Sequence, residues 1–161
     1  MEDLEAFVSE LKKETDRGLP LVGTVLIDEK LGEILKAFFI DGKISTKLLQ
    51  EPTSPLATFS AKIDICFALG LIDDFEFYEI NILRRIRNEF AHKRHGISFE
   101  TGKIKDLCSN LRVKELDGFS TNDPKLTYMV AVSFIALRIY NRSERIKNEK
   151  RISKSFGEIN A

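Results

Sequence analysis

Cysteine, proline and net charge are what this chain has least of, and each shortage closes off a class of protein. Two cysteines among 161 residues, Cys66 and Cys108, make neither a disulfide framework nor a zinc set. Lysine and arginine together number 25, and so do aspartate and glutamate. The formal charge is therefore zero, and wholesale electrostatic capture of nucleic acid or of an anionic membrane is not the default; a local basic patch stays open. No apolar stretch approaches the ~20 residues that span a bilayer, the longest largely apolar run being Met129 to Leu137. The acidic opening Met1-Glu2-Asp3-Leu4-Glu5 is the reverse of a signal or transit peptide. The expectation is a cytoplasmic protein without metal, cofactor or membrane contact. What is plentiful is 43% hydrophobic and 31% charged residues, the mix of a soluble globular chain of one-domain size.

Four prolines and nine glycines leave long stretches free for helix. Leu4, Phe7, Val8 and Leu11 fall at helical spacing, which predicts a short amphipathic helix over Glu2 to Lys13, broken at Asp16-Arg17-Gly18. From Leu21 to Asp41-Gly42 the apolar residues cover a wide arc, which predicts a long central helix. A helical turn is expected over Ser45 to Gln50 and a loop at Glu51-Pro52-Thr53-Ser54-Pro55. Thr58 to Leu69 reads as a helix with Gly70 near its end as C-cap. Asp73-Asp74 opens another to about His92, whose stripe is Glu79, Ile82, Leu83, Ile86 and Phe90, with one acidic exception. A shorter helix is expected over Thr101 to Leu111, and Asn122-Asp123-Pro124 starts a last one extending to Lys150. No strand alternation stands out, and Ile97-Ser98-Phe99 reads as loop. The pattern predicts an all-α fold, a single helical bundle of five to seven helices over residues 1–152, with 153–161 a frayed tail.

Both histidines and five cationic side chains crowd into Arg84-Arg85-Ile86-Arg87-Asn88-Glu89-Phe90-Ala91-His92-Lys93-Arg94-His95. A histidine titrates near neutral pH, and a neighbouring arginine stabilises a developing oxyanion or phosphorane. Metal-free RNA cleavage needs that pair, with the substrate's 2′-hydroxyl as nucleophile. Five residues apart, however, Arg87 and His92 diverge by about 140° around an ideal helix. To meet at one phosphate they need two copies across a two-fold axis, or a helix that loosens after Ala91. The plainer alternative makes Arg87 a structural ion pair and His92 a cap near the helix end.

A helix–Gly–helix reading of Ala61 to Arg87 would send the second helix into a DNA groove by its first turn. That turn carries Asp73, Asp74, Glu76 and Glu79, which would face phosphate, so direct sequence-specific DNA binding is not expected. Glu14, Asp16, Asp28 and Glu29 have no histidine beside them and read as a solvated face or as partners of Arg17 rather than a metal site. Cys66 reads as core. Six basic side chains and two glutamates between Arg142 and Lys154 read as a solvated helix end rather than an RNA patch.

Two resemblances follow. Glu14-Thr15-Asp16-Arg17-Gly18, Leu26 to Leu31, Ser54 to Ile63, Ala68 to Ile72, Ile82 to His92, Ser98-Phe99 and Ile104 together resemble the mannitol operon repressor family, MtlR, in order and near-family spacing. That resemblance implies an all-helical bacterial transcriptional regulator of sugar-alcohol utilisation, in a family without a recognisable DNA-binding motif, so that regulation would run through a protein partner or an unrecognised surface. The shorter stretch Arg87-Asn88-Glu89-Phe90-Ala91-His92 resembles the arginine–polar–spacer–histidine motif of HEPN domains, which are all-α, usually dimeric and in many members metal-independent ribonucleases. It implies Arg87 and His92 as catalytic residues, Asn88 as the polar residue after the arginine, and RNA as the partner. The leading expectation is an MtlR-type regulator acting through protein contacts. The alternatives are a HEPN-type RNase and a non-catalytic scaffold. The wide apolar arcs of Leu21–Phe39 and Lys125–Tyr140 exceed what one small bundle easily hides, which predicts a homodimer.

Overall fold

The computed structural model describes residues 2–50, 53–93, 95–119 and 121–155. Glu51 and Pro52 of the expected loop, Arg94 of the cationic segment and residues 156–161 of the expected tail lie outside the described residues. Seven helices of eight residues or more follow one another: α1 (Glu2–Leu11), α2 (Gly18–Phe38), α3 (Lys43–Gln50), α4 (Phe59–Ala68), α5 (Asp74–His92), α6 (Gly102–Ser109) and α7 (Pro124–Ile139). The five-residue α8 (Arg142–Ile146) and two 3-10 turns, Arg112–Glu115 and Lys147–Glu149, complete the order. There is no strand among the described residues, and the expected all-α bundle is what the chain forms.

Local chemistry sets most of the boundaries. Thr58 accepts a hydrogen bond from the Ala61 amide at 3.2 Å and starts α4. At the other end Gly70 takes φ +70°. Its amide reaches the Phe67 carbonyl at 2.9 Å while the Leu71 amide reaches that of Cys66 at 2.8 Å, the paired bonds of a Schellman ending. Asp123 caps α7 by accepting from the amides of Lys125 (2.8 Å) and Leu126 (3.2 Å), with Pro124 at the first helical position.

Two boundaries depart from the sequence reading. Gly18, expected to break the chain, is the first residue of α2, because the Thr15 hydroxyl accepts its amide at 3.0 Å and Pro20 tolerates the first turn. The last helix does not run to Lys150. It stops at Ile139, and Tyr140-Asn141 turns the chain into α8. Asn141 favours such a break, and the turn brings Arg142 back over the start of α5.

The central element is α2, touched by α1, α3, α4, α5, α7 and α8. It buries Leu19, Ile27, Leu31, Ile34, Leu35 and Phe38. It packs tightly on α7 at Gly23, where a Cβ would come within 3.2 Å of the Val132 side chain. A row of aromatic rings, Phe90–Phe99–Tyr128, with centroids 5.1 and 5.5 Å apart, ties α5 to α7 through the 97–99 segment. Cys66 and Cys108 are buried in this core, and burial pushes both thiols up to about 12.

Candidate functional site

The first half of α5 is built around two buried glutamates. Asp73 and Glu76 form a reciprocal capping box, with the Asp73 amide donating to Glu76 Oε2 at 3.0 Å and the Glu76 amide to Asp73 Oδ1 at 2.8 Å. The Glu76 carboxylate has no solvent exposure. Two guanidiniums hold it: Arg138 Nε at 2.8 Å from Oε1, and Arg142 with Nη2 at 2.8 Å from Oε1 and Nη1 at 2.5 Å from Oε2. Arg138 also reaches Asp73 Oδ2 at 2.6 Å. Bidentate, charge-assisted bonds of this kind make burial of the carboxylate tolerable. They also correct the expectation that this turn would present its acids outward: Glu76 is internal and neutralised.

Glu79, the acidic exception in the stripe, is equally buried and has no arginine on it. Its Oε1 accepts the backbone amide of Arg112 at 2.5 Å and so caps the 3-10 turn Arg112–Glu115, while Oε2 has no partner. Burial pushes its carboxyl up to about 7, against the pull of the Arg112 and Val113 amides. The signal for it was the charge inside an apolar stripe; its partner lies 33 residues away in sequence.

The second half of α5 carries the expected catalytic residues. Arg87 is half-buried and its Nη1 donates to Asn88 Oδ1 at 3.0 Å. His92 is the last helical residue and is exposed. Because α5 stays helical through His92, the helix does not loosen after Ala91, and the two side chains leave it about 140° apart. Glu89 is drawn to Lys103 at 2.6 Å, and that hydrogen bond holds its carboxyl below the usual range. His95 lies beyond the helix and is exposed.

Several other charged groups are paired within the chain. Asp28 pairs with Lys62 and Asp16 with Lys125, both at 2.8 Å. In the basic C-terminal run Arg142 is on Glu76, Lys147 on Glu144, and Lys150 on Asp41. The Arg151 guanidinium lies over the Phe38 ring, 4.9 Å from its centroid. Among the described residues no group of three or more His, Cys, Asp or Glu could hold a metal ion, and no helix is long and apolar enough to cross a membrane.

A wide open feature among the described residues is apolar. Of the two wide hydrophobic arcs, that of α2 is mostly buried in the bundle, with Leu21 and Leu26 half-buried and Val25 exposed. That of α7 is not. One face of α7 (Tyr128, Ala131, Val132, Ile135, Ile139) is buried, while Met129, Val130, Phe134 and Leu137 line a groove of about 670 Å³ against α1. A second hollow of about 490 Å³, under Leu116 and Phe119, shares Val130 and Phe134 with it.

The comparisons with known proteins agree on the fold. A chain of the MtlR–HPr complex from Escherichia coli superposes with a TM-score of 0.61 at 18% identity, covering 91% of this chain and 99% of that one. The possible transcriptional regulator YggD from Shigella flexneri gives 0.63 at 13% identity, with 86% and 95% covered. Among curated protein sequences none matches significantly. The family model described as mannitol repressor matches residues 11–147, nearly the whole helical bundle, and the chain belongs to the mannitol repressor (MtlR) family.

Proposed function

We propose that this chain is a cytoplasmic transcriptional regulator of the mannitol repressor type, one domain over residues 1–152, working as a homodimer and acting through contact with a protein partner. The observation that carries this reading is the family match over residues 11–147, joined to a charge distribution unsuited to reading DNA. Arg138 and Arg142 are committed to the buried Glu76, and much of the basic C-terminal run is spent on internal pairs. Cations committed in this way are withdrawn from the phosphate contacts that supply most non-specific affinity for nucleic acid.

The E. coli MtlR structure is a complex with HPr, and an HPr-type protein is the partner we assign. Calorimetric titration of the pure chain with HPr from the same organism tests this: saturable binding is the expected result, and no heat of binding would contradict the assignment.

The nuclease alternative draws no support from the family match or the two solved structures. Under the regulator reading Arg87 and Asn88 are structural and His92 is a solvent-facing helix end. RNA cleavage that persists in EDTA, leaves 2′,3′-cyclic phosphate ends and disappears in His92→Ala and Arg87→Lys but not His95→Ala would overturn that.

A further inference from the structure

We propose that the groove between α1 and α7 is the surface on which two copies of this chain meet, with the α1 helices antiparallel across a two-fold axis near Val8. This rests on the homodimer part of the reading above and gives it a location.

The first support is the shape of the charge pattern. α1 runs antiparallel to α7, since Lys125 at the start of α7 reaches Glu14 and Asp16 just beyond the end of α1. The strip of α1 that lines the groove places Glu5 at one end and Val8 in the middle, with Lys12, one residue past the helix, at the other end. The facing strip of α7, Val130, Phe134 and Leu137, carries no charge. Glu5 and Lys12 are both exposed, and neither has an ion-pair partner among the described residues. Seven residues along a helix separate them by about 10 Å, too far to pair within one chain. A two-fold axis at the midpoint reverses the order and sets each Glu5 against the partner's Lys12, twice over. A strip that is acidic at one end, basic at the other and apolar between is complementary to its own two-fold image, which is what an isologous contact demands.

The second support is the apolar content. Leu137 is 59% exposed in the single chain, beside half-buried Val130 and Phe134. A hydrophobic face rimmed by charge marks a contact surface rather than ordinary exterior. The zero net charge of the chain sets no long-range repulsion against a second copy.

Sedimentation equilibrium of the full chain tests the proposal, with circular dichroism to confirm that each variant keeps its helix. The wild type should sediment as two chains and Leu137→Glu as one; Leu137 is exposed, so the substitution spares the core. Glu5→Lys and Lys12→Glu should each weaken the dimer by about tenfold or more, because one reversal creates two like-charge pairs. Combining both reversals in one chain should return the dimer toward wild-type affinity, since opposite charges then face one another across the axis again, in reversed sense. A monomeric wild type would overturn both the location and the homodimer, leaving the groove to another protein. A dimer indifferent to Leu137→Glu and to both reversals would overturn the location alone.

Discussion

The two halves of α5 bury and expose charge by opposite rules. In the first half Glu76 and Glu79, three residues apart, are both without solvent exposure, yet one is gripped by two guanidiniums and the other by backbone amides only. In the second half Arg87 is half-buried and bonded to Asn88, while His92 is exposed at the helix end. The chemistry-bearing residue types are thus gathered at one end of the helix, while the pairing that organises the molecule is at the other. A dense cluster of ionisable residues in sequence says little until the helix phase decides which of them meet. Here the phase separates Arg87 from His92, and the turn at Tyr140-Asn141 brings Arg142 beside Arg138 on Glu76.

The largest effect should come from breaking that grip. Arg142→Ala leaves Glu76 buried with half its counter-charge, and removal of one partner from a buried pair costs about 3–5 kcal/mol. Chemical denaturation should show a loss of that size; a change under about 1 kcal/mol, the range of a surface pair, would erase the distinction between the halves. Glu79 sharpens the contrast from the same side. With its carboxyl raised from 4.5 to about 7, the native chain holds a proton that the unfolded chain has released between those values. Stability should therefore fall as pH rises from 4.5 through 7, by on the order of 3 kcal/mol from this group. Glu79→Gln, which cannot ionise, should flatten the pH dependence in that window when thermal unfolding is followed from pH 4.5 to 8. The smallest effect belongs to the other half. His92→Ala at an exposed helix end should shift stability by no more than about 0.5 kcal/mol and leave partner binding unchanged in the same calorimetric titration.

What the sequence made legible is what a few neighbouring residues decide. Asp123-Pro124, Gly70 and Asp73 mark their helix ends through backbone chemistry contained within one turn, and the structure places all three as the pattern predicts. The break at Tyr140-Asn141 was not legible, because neither glycine nor proline marks it and the apolar periodicity carries on to Ile146. Nor was the role of Glu76: its partners Arg138 and Arg142 are 62 and 66 residues away, a distance no local pattern spans. The Arg87–His92 motif is conspicuous because its residues lie within six positions, and on the intact helix the two side chains leave about 140° apart.

Retardation of promoter DNA by the pure, full-length chain at physiological salt tests most directly whether regulation runs through protein contacts. With Arg138 and Arg142 held on the internal Glu76 and a net charge of zero, the chain alone should give no sequence-selective shift. Nanomolar, sequence-selective binding by the chain alone would contradict it.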